Sequence, residues 1–141
     1  MKFPKVKRCR ANTLKGMIQI LDKVFSEYIR RRDAGGSEYV RCVTCSTVKH
    51  WKEMDCGHYI TRNHLAVRFH PRNCHAQCKS CNSFKGGEQS LHGKAIDRMY
   101  GKGESDTLQA ISRTYAGLDE AWLNYHIKLY RDEIKKIKNK C

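Results

Sequence analysis

Acidic residues are scarce in this chain. Fourteen Asp and Glu stand against 28 Lys and Arg, leaving a formal net charge of +14 over 141 residues. Like charges repel in a compact state, so folding gains nothing from such an excess. Its expected use is attraction to a polyanion, with nucleic acid ahead of a membrane surface or a merely solubilising one. Long apolar runs are missing as well. No stretch approaches the roughly 20 apolar residues that span a bilayer. The start, Met-Lys-Phe-Pro-Lys-Val-Lys-Arg, has no apolar core of a secretion signal. Both absences predict a cytoplasmic location without a membrane partner. There is no internal repeat and no low-complexity segment, and the length suits one compact domain with helical additions.

Cysteine is plentiful, with eight residues. In a reducing compartment, paired CxxC motifs read as metal ligands. Cys42-Val-Thr-Cys45 and Cys78-Lys-Ser-Cys81 are two such pairs. One tight turn supplies two thiolates, so two turns complete a tetrahedral structural zinc site. A redox role is the alternative, but it lacks a thioredoxin-like strand pattern. The segment between the pairs is longer than in a simple zinc ribbon, so something is inserted between the knuckles. Cys9, Cys56, Cys74 and Cys141 are left over and read as small buried or surface thiols.

Residues 1–12 form a basic arm with Lys2, Lys5, Lys7, Arg8 and Arg10, and residues 13–141 form a single domain. Within 13–36, Leu14, Met17, Ile18, Leu21, Val24, Phe25, Tyr28 and Ile29 repeat at helical spacing. Asn12 or Thr13 offers the N-cap, and Gly35-Gly36 the stop. Residues 38–87 carry short β-prone runs: Tyr39 to Arg41, a strand over 55–60, and a possible partner strand from Leu65 to Phe69, broken by Pro71. A short helix starting near the second CxxC carries Asn82 and Lys85. Trp51 and Tyr59 read as hairpin core ahead of base stacking. Residues 88–141 form a helical tail, with helices over 88–100 and 105–115 and a third starting near Asp119. In the third, Leu123, Ile127, Tyr130, Ile134 and Ile137 make a seam that packs on the first helix or pairs with a second subunit.

The stretch between the knuckles carries chemistry. Hydrolysis of a phosphodiester needs an activated water, a cation on the phosphate oxygens and stabilisation of the leaving oxygen. His58 offers a base, and Asp55 and Asn82 offer oxygens to a hard ion, Mg²⁺ or Mn²⁺. Asn73 is the candidate to orient the imidazole. Arg62, Arg68, Arg72, Lys79 and Lys85 supply cations for phosphate, with His64, His70 and His75 interleaved. Lys85 has the best claim to the scissile phosphate, and His75 is a further candidate metal ligand.

His58, Asn73, Cys78, Cys81, Asn82 and Lys85 resemble the HNH or ββα-metal nuclease pattern, in which an Asn precedes a CxxC that a His or Asn follows directly. The resemblance implies that His58 is the general base, Asn73 steadies the hairpin and Asn82 holds the metal. It implies an α+β fold: a zinc-stabilised ββα-metal (HNH, His-Me finger) core with N-terminal and C-terminal helices.

A wider set resembles the phage NinG family: Phe25 to Asp33, Cys42, Cys45, Trp51, Asp55, Gly57, His58, Tyr59, Leu65, Arg68, Phe69, Arg72, Asn73, His75, Gln77, Cys78, Cys81, Asn82, Lys85 and Gly87. That resemblance implies a metal-dependent DNA endonuclease acting on branched recombination intermediates, D-loops and Holliday junctions, in the cytoplasm of a bacterial host. A general nuclease on duplex DNA and a non-catalytic zinc-knuckle DNA-binding accessory protein are the alternatives. Resolving a junction takes two nicks, which makes a homodimer attractive. The chain departs from many HNH enzymes at Gly57, where they keep a metal-binding Asp directly before the base. A phage junction-resolving endonuclease is similar in carrying an Asp three residues before a His, but it has a second His where this chain has Cys56.

Overall fold

A computed structural model describes residues 13–140. The expected basic arm lies outside them, as do Cys9 and Cys141. Helix α1 runs Leu14–Ala34. Thr13 caps it through Oγ1, which accepts from Gly16 N at 3.0 Å, and Gly35 ends it in the left-handed region at φ 61°. Met17, Leu21, Phe25 and Ile29 form its buried stripe. At the far end of the chain, helix α5 spans Glu120–Asn139, with Asp119 accepting from Trp122 N at 2.8 Å. Its seam residues Leu123, Ile127, Tyr130 and Ile134 are buried. The α5 seam packs on α1: the Phe25 and Tyr130 rings sit 5.0 Å apart, edge to face. Four of the five seam residues are thus buried within the chain, and Ile137 stays half-buried.

Between these helices lie two antiparallel hairpins. Strands β1 (Tyr39–Arg41) and β2 (Val48–His50) flank the first CxxC. Strands β3 (Met54–His58) and β4 (Cys74–Cys78) pair with Asp55 opposite Gln77 and His58 opposite Cys74. Val43 N donates to the Ala76 carbonyl at 3.0 Å, which ties the first hairpin to the second.

The partner of β3 corrects the sequence expectation. Leu65 to Phe69 is no strand; Leu65–Arg68 is the short helix α2. The reason is Asn73, which is fully buried. Its amide binds the Ile60 N–H (2.9 Å), the Ile60 carbonyl (3.0 Å) and the Val67 carbonyl (3.1 Å), so the 59–73 loop closes on a side chain instead of a ladder. The true partner, Cys-His-Ala-Gln-Cys, is buried at every position. It shows neither alternation nor β-branched residues, so nothing in its pattern marks a strand.

A single π-helical turn, Ser80–Phe84, follows β4 and carries Asn82; Lys85 closes it by donating its N–H to the Ser80 carbonyl. Helices α3 (Gln89–Tyr100) and α4 (Glu104–Ser112) complete the chain's middle. Ile96 and Leu108 are fully buried there with Tyr59, Ile60 and Val67. Among the described residues no helix is long and apolar enough to cross a membrane.

Candidate functional site

Cys42, Cys45, Cys78 and Cys81 converge, all four sulfurs lying within 4.8 Å of one another. Cys45 Sγ and Cys78 Sγ are 3.7 Å apart. A tetrahedron with zinc–sulfur bonds of about 2.3 Å has edges of roughly 3.8 Å, so the cage can hold a zinc ion. Backbone donors prepare the thiolates: Cys78 N points to Cys42 Sγ at 3.3 Å and Cys81 N to Cys78 Sγ at 3.5 Å. Burial opposes ionisation of Cys42, but the Cys78 N–H and the Thr44 hydroxyl outweigh it and bring its pKa down to about 6. Burial and the neighbouring sulfurs push Cys81 up to about 12. A cation among the four sulfurs removes that penalty.

An open cleft of about 470 Å³ lies against the Cys56 and His58 face of β3. It is lined by Asp22, Phe25 and Ser26 of α1, Cys56 and His58 of β3, Thr61 and Arg62, and Asn82, Gly86 and Gly87. The structure thus brings His58 and Asn82 to one cleft. His58 Nε2 sits 3.0 Å from the Arg68 carbonyl oxygen. A carbonyl only accepts, so in the neutral ring Nε2 carries the proton and Nδ1 keeps a lone pair. Burial lowers the pKa of His58, and the Arg62 cation adds to this; the Arg68 and Cys56 carbonyls and the Asp22 carboxylate act against it. The ring is therefore neutral at pH 7, the form that can accept a proton.

Asp55 meets Asn82, whose Nδ2 donates to Asp55 Oδ2 at 3.1 Å. The period-two alternation of β3 sets Asp55 and His58 on opposite faces of the hairpin. Asn82 links the two, touching Asp55 and lining the cleft with His58. Gly57 is enclosed: a Cβ there would meet Gln77 Cβ at 2.8 Å and Cδ at 3.0 Å. Gln77 Nε2 is fixed by the Gly87 carbonyl (2.8 Å) and Thr44 Oγ1 (3.1 Å), while its Oε1 is buried without a partner. The space that a ligand at position 57 would use is filled by an amide from β4. For a hard cation the oxygens on offer are Asp55 and the amide of Asn82, and Lys79 Nζ, 2.9 Å from Asp55 Oδ1, is already a cation on that carboxylate.

The other sequence candidates separate. Asn73 does not touch His58; it holds the loop that presents the Arg68 carbonyl, and so positions the ring at one remove. The Arg68 guanidinium is no free phosphate contact: it makes a bidentate pair with Asp22, at 2.6 and 2.9 Å. Arg72 pairs with Glu104 at 3.3 Å and covers the Tyr100 ring, and Lys79 is held by Asp55. Arg62 is exposed on the cleft wall, and Lys85 is exposed just beyond the π-turn. His75 is no metal ligand, because Nδ1 meets His92 Nε2 and Nε2 meets the Tyr100 hydroxyl, both at 2.9 Å.

Sequence reasoning missed Asp22 and His92, and read Cys74 only as a small buried or surface thiol. Asp22 hides on the polar side of an amphipathic helix. His92 reads as an ordinary helical residue until the fold buries it against His75. Cys74 is completely buried opposite His58, and no motif includes it.

No curated protein and no solved structure matches the chain. The family model described as bacteriophage lambda NinG protein matches residues 2–140. A match over nearly the whole length, spanning both cysteine pairs and the cleft between them, makes this chain a member of the NinG family, which points to a role in phage recombination.

Proposed function

We propose that this protein is a metal-dependent DNA endonuclease of the HNH type that nicks branched recombination intermediates, D-loops and Holliday junctions. The observation that carries the reading is the cleft that His58 and Asn82 line together, with His58 held by the Arg68 carbonyl and Asn82 bonded to Asp55. A purely structural zinc knuckle has no use for that set.

In this reading His58 takes a proton from water at Nδ1 while Nε2–H stays on the carbonyl. Asp55 and Asn82 would hold a Mg²⁺ or Mn²⁺ ion, which would supply charge stabilisation at the phosphate and leaving oxygen. Arg62 and Lys85 attract the DNA backbone, and the zinc cage fixes Asn82 relative to β3. Asn73 acts through the loop it holds. The net charge of +14 supports a nucleic-acid partner.

The test is a labelled four-way junction, a D-loop and a linear duplex incubated with protein and Mg²⁺ or Mn²⁺. Branch-selective nicks that vanish in His58→Ala are expected. Equal cutting of linear duplex would make it a general nuclease. Binding without cutting would make it an accessory protein, the reading favoured by the missing ligand at Gly57.

A further inference from the structure

We propose that Cys56, His58 and Cys74 form a second metal site, distinct from the four-cysteine cage, that takes a thiophilic ion such as Zn²⁺ and occupies the imidazole on the cleft floor. Two sulfurs and a ring nitrogen of these residues lie within 4.8 Å of one another. The hairpin register explains why. His58 and Cys74 are direct cross-strand partners, and Cys56 lies two residues before His58 on the same face. The Arg68 carbonyl oxygen, 3.0 Å from His58 Nε2 and 3.8 Å from Cys74 Sγ, is a neighbour that both side chains share.

Donor chemistry selects the ion. Two thiolates with one imidazole suit zinc and other soft ions, whereas Mg²⁺ prefers the oxygens of Asp55 and Asn82. Three protein ligands with an open fourth position form the usual zinc arrangement when solvent can reach the ion. Cys74 is completely buried, but Cys56 and His58 line the cleft, so an ion reaches the site from that side. Binding releases the thiol protons to solvent and takes a lone pair of the imidazole.

The consequence rests on the nuclease reading: a ring that holds zinc cannot accept a proton from water. The site would then be inhibitory, and a thiophilic ion would compete with turnover without touching the Mg²⁺ oxygens. The site itself does not depend on that reading.

Metal stoichiometry decides it. Saturate the wild-type chain with Zn²⁺, remove loose metal by gel filtration, and count ions by native mass spectrometry. Two per chain are expected, falling to one in Cys56→Ala and in Cys74→Ala. Cys56 is only half-buried, so its variant keeps the fold even if Cys74→Ala does not. Cobalt substitution gives a second readout: Cys56→Ala loses part of the thiolate-to-cobalt absorption while the cage contribution stays. One ion in the wild type, or two in both variants, overturns the site. On junction DNA in Mg²⁺, a slight zinc excess lowers wild-type nicking and a chelator restores it, and the fractional loss is smaller in Cys56→Ala. Equal fractional loss in the two proteins overturns the inhibitory role. Absence of nicking at any zinc level counts against the nuclease reading alone.

Discussion

The carbonyl oxygen of Arg68 lies 3.0 Å from Nε2 of His58, while the Arg68 side chain turns away to grip Asp22. One residue thus sets the imidazole with its backbone and anchors α2 to α1 with its guanidinium. Removing the side chain by Arg68→Ala leaves the carbonyl in place but loosens the loop. Stability is expected to fall by about 1–3 kcal/mol, the cost of a charge-assisted pair and its orphaned partner. The urea midpoint checks this. By contrast, Arg62→Ala leaves the midpoint unchanged and lowers the slope of log affinity against log salt on junction DNA by about 1.

Asn73 is the strongest single point in the loop. Asn73→Ala removes three buried hydrogen bonds and strands the Ile60 and Val67 backbone groups. A loss of roughly 3–5 kcal/mol is expected, measured by denaturant unfolding. A loss under 1 kcal/mol would show that water replaces the amide.

Gly57 and Gln77 should behave as a coupled pair. Gly57→Ala forces its new Cβ onto the Gln77 side chain and is expected to cost about 1–3 kcal/mol. Gln77→Ala removes the amide end of the clash but keeps Cβ, so the double variant recovers only part of that cost. A double-mutant cycle in urea reads the coupling, and strictly additive effects would rule the clash out.

Acid should destabilise the protein through His75 and His92. Burial pushes both rings down, His75 to about 3 and His92 to about 4. In the unfolded chain a histidine titrates near 6.5. Above that pH neither state binds the proton and stability is complete. As pH falls below about 6.5 the unfolded state takes up protons that the folded state refuses, so stability drops until the folded values are reached. Between pH 7 and 5 each ring accounts for roughly 2 kcal/mol. His92→Gln should flatten the pH dependence of the urea midpoint over that range; an unchanged slope would refute it.

Zinc removal should act on the hairpins first. Cys81→Ser is expected to lose the cage ion and the ordered π-turn that carries Asn82, while the α1–α5 pair keeps its helical signal at low temperature. Metal analysis with far-ultraviolet circular dichroism checks both parts, and a zinc-free Cys81→Ser protein with unchanged melting would exclude a structural role for the cage.

Much of this was legible in the sequence, because the signals were local. The α1 stripe, the Thr13 cap, the α5 start near Asp119 and the two CxxC turns depend on residues a few positions apart. The hairpin partner was not, because β4 is buried on both faces and carries His75 and Gln77 inward. A strand of that kind has no alternating pattern to read. The cations near the cleft were legible as a group but not one by one. Whether an arginine reaches phosphate or an aspartate depends on contacts such as Arg68 with Asp22, 46 residues apart.

The pairing of α1 with α5 also sets a timetable for synthesis. Roughly 85 residues separate the end of one helix from the start of the other. At about 5–20 residues per second, the apolar stripe of Met17, Leu21, Phe25 and Ile29 leaves the ribosome several seconds before its cover does. During that interval the stripe is open to chaperones and to neighbouring nascent chains. Yield in the cell should therefore track translation speed through the middle of the message, even though that stretch supplies few residues, Phe69 and Cys74 among them, to the core the two helices share.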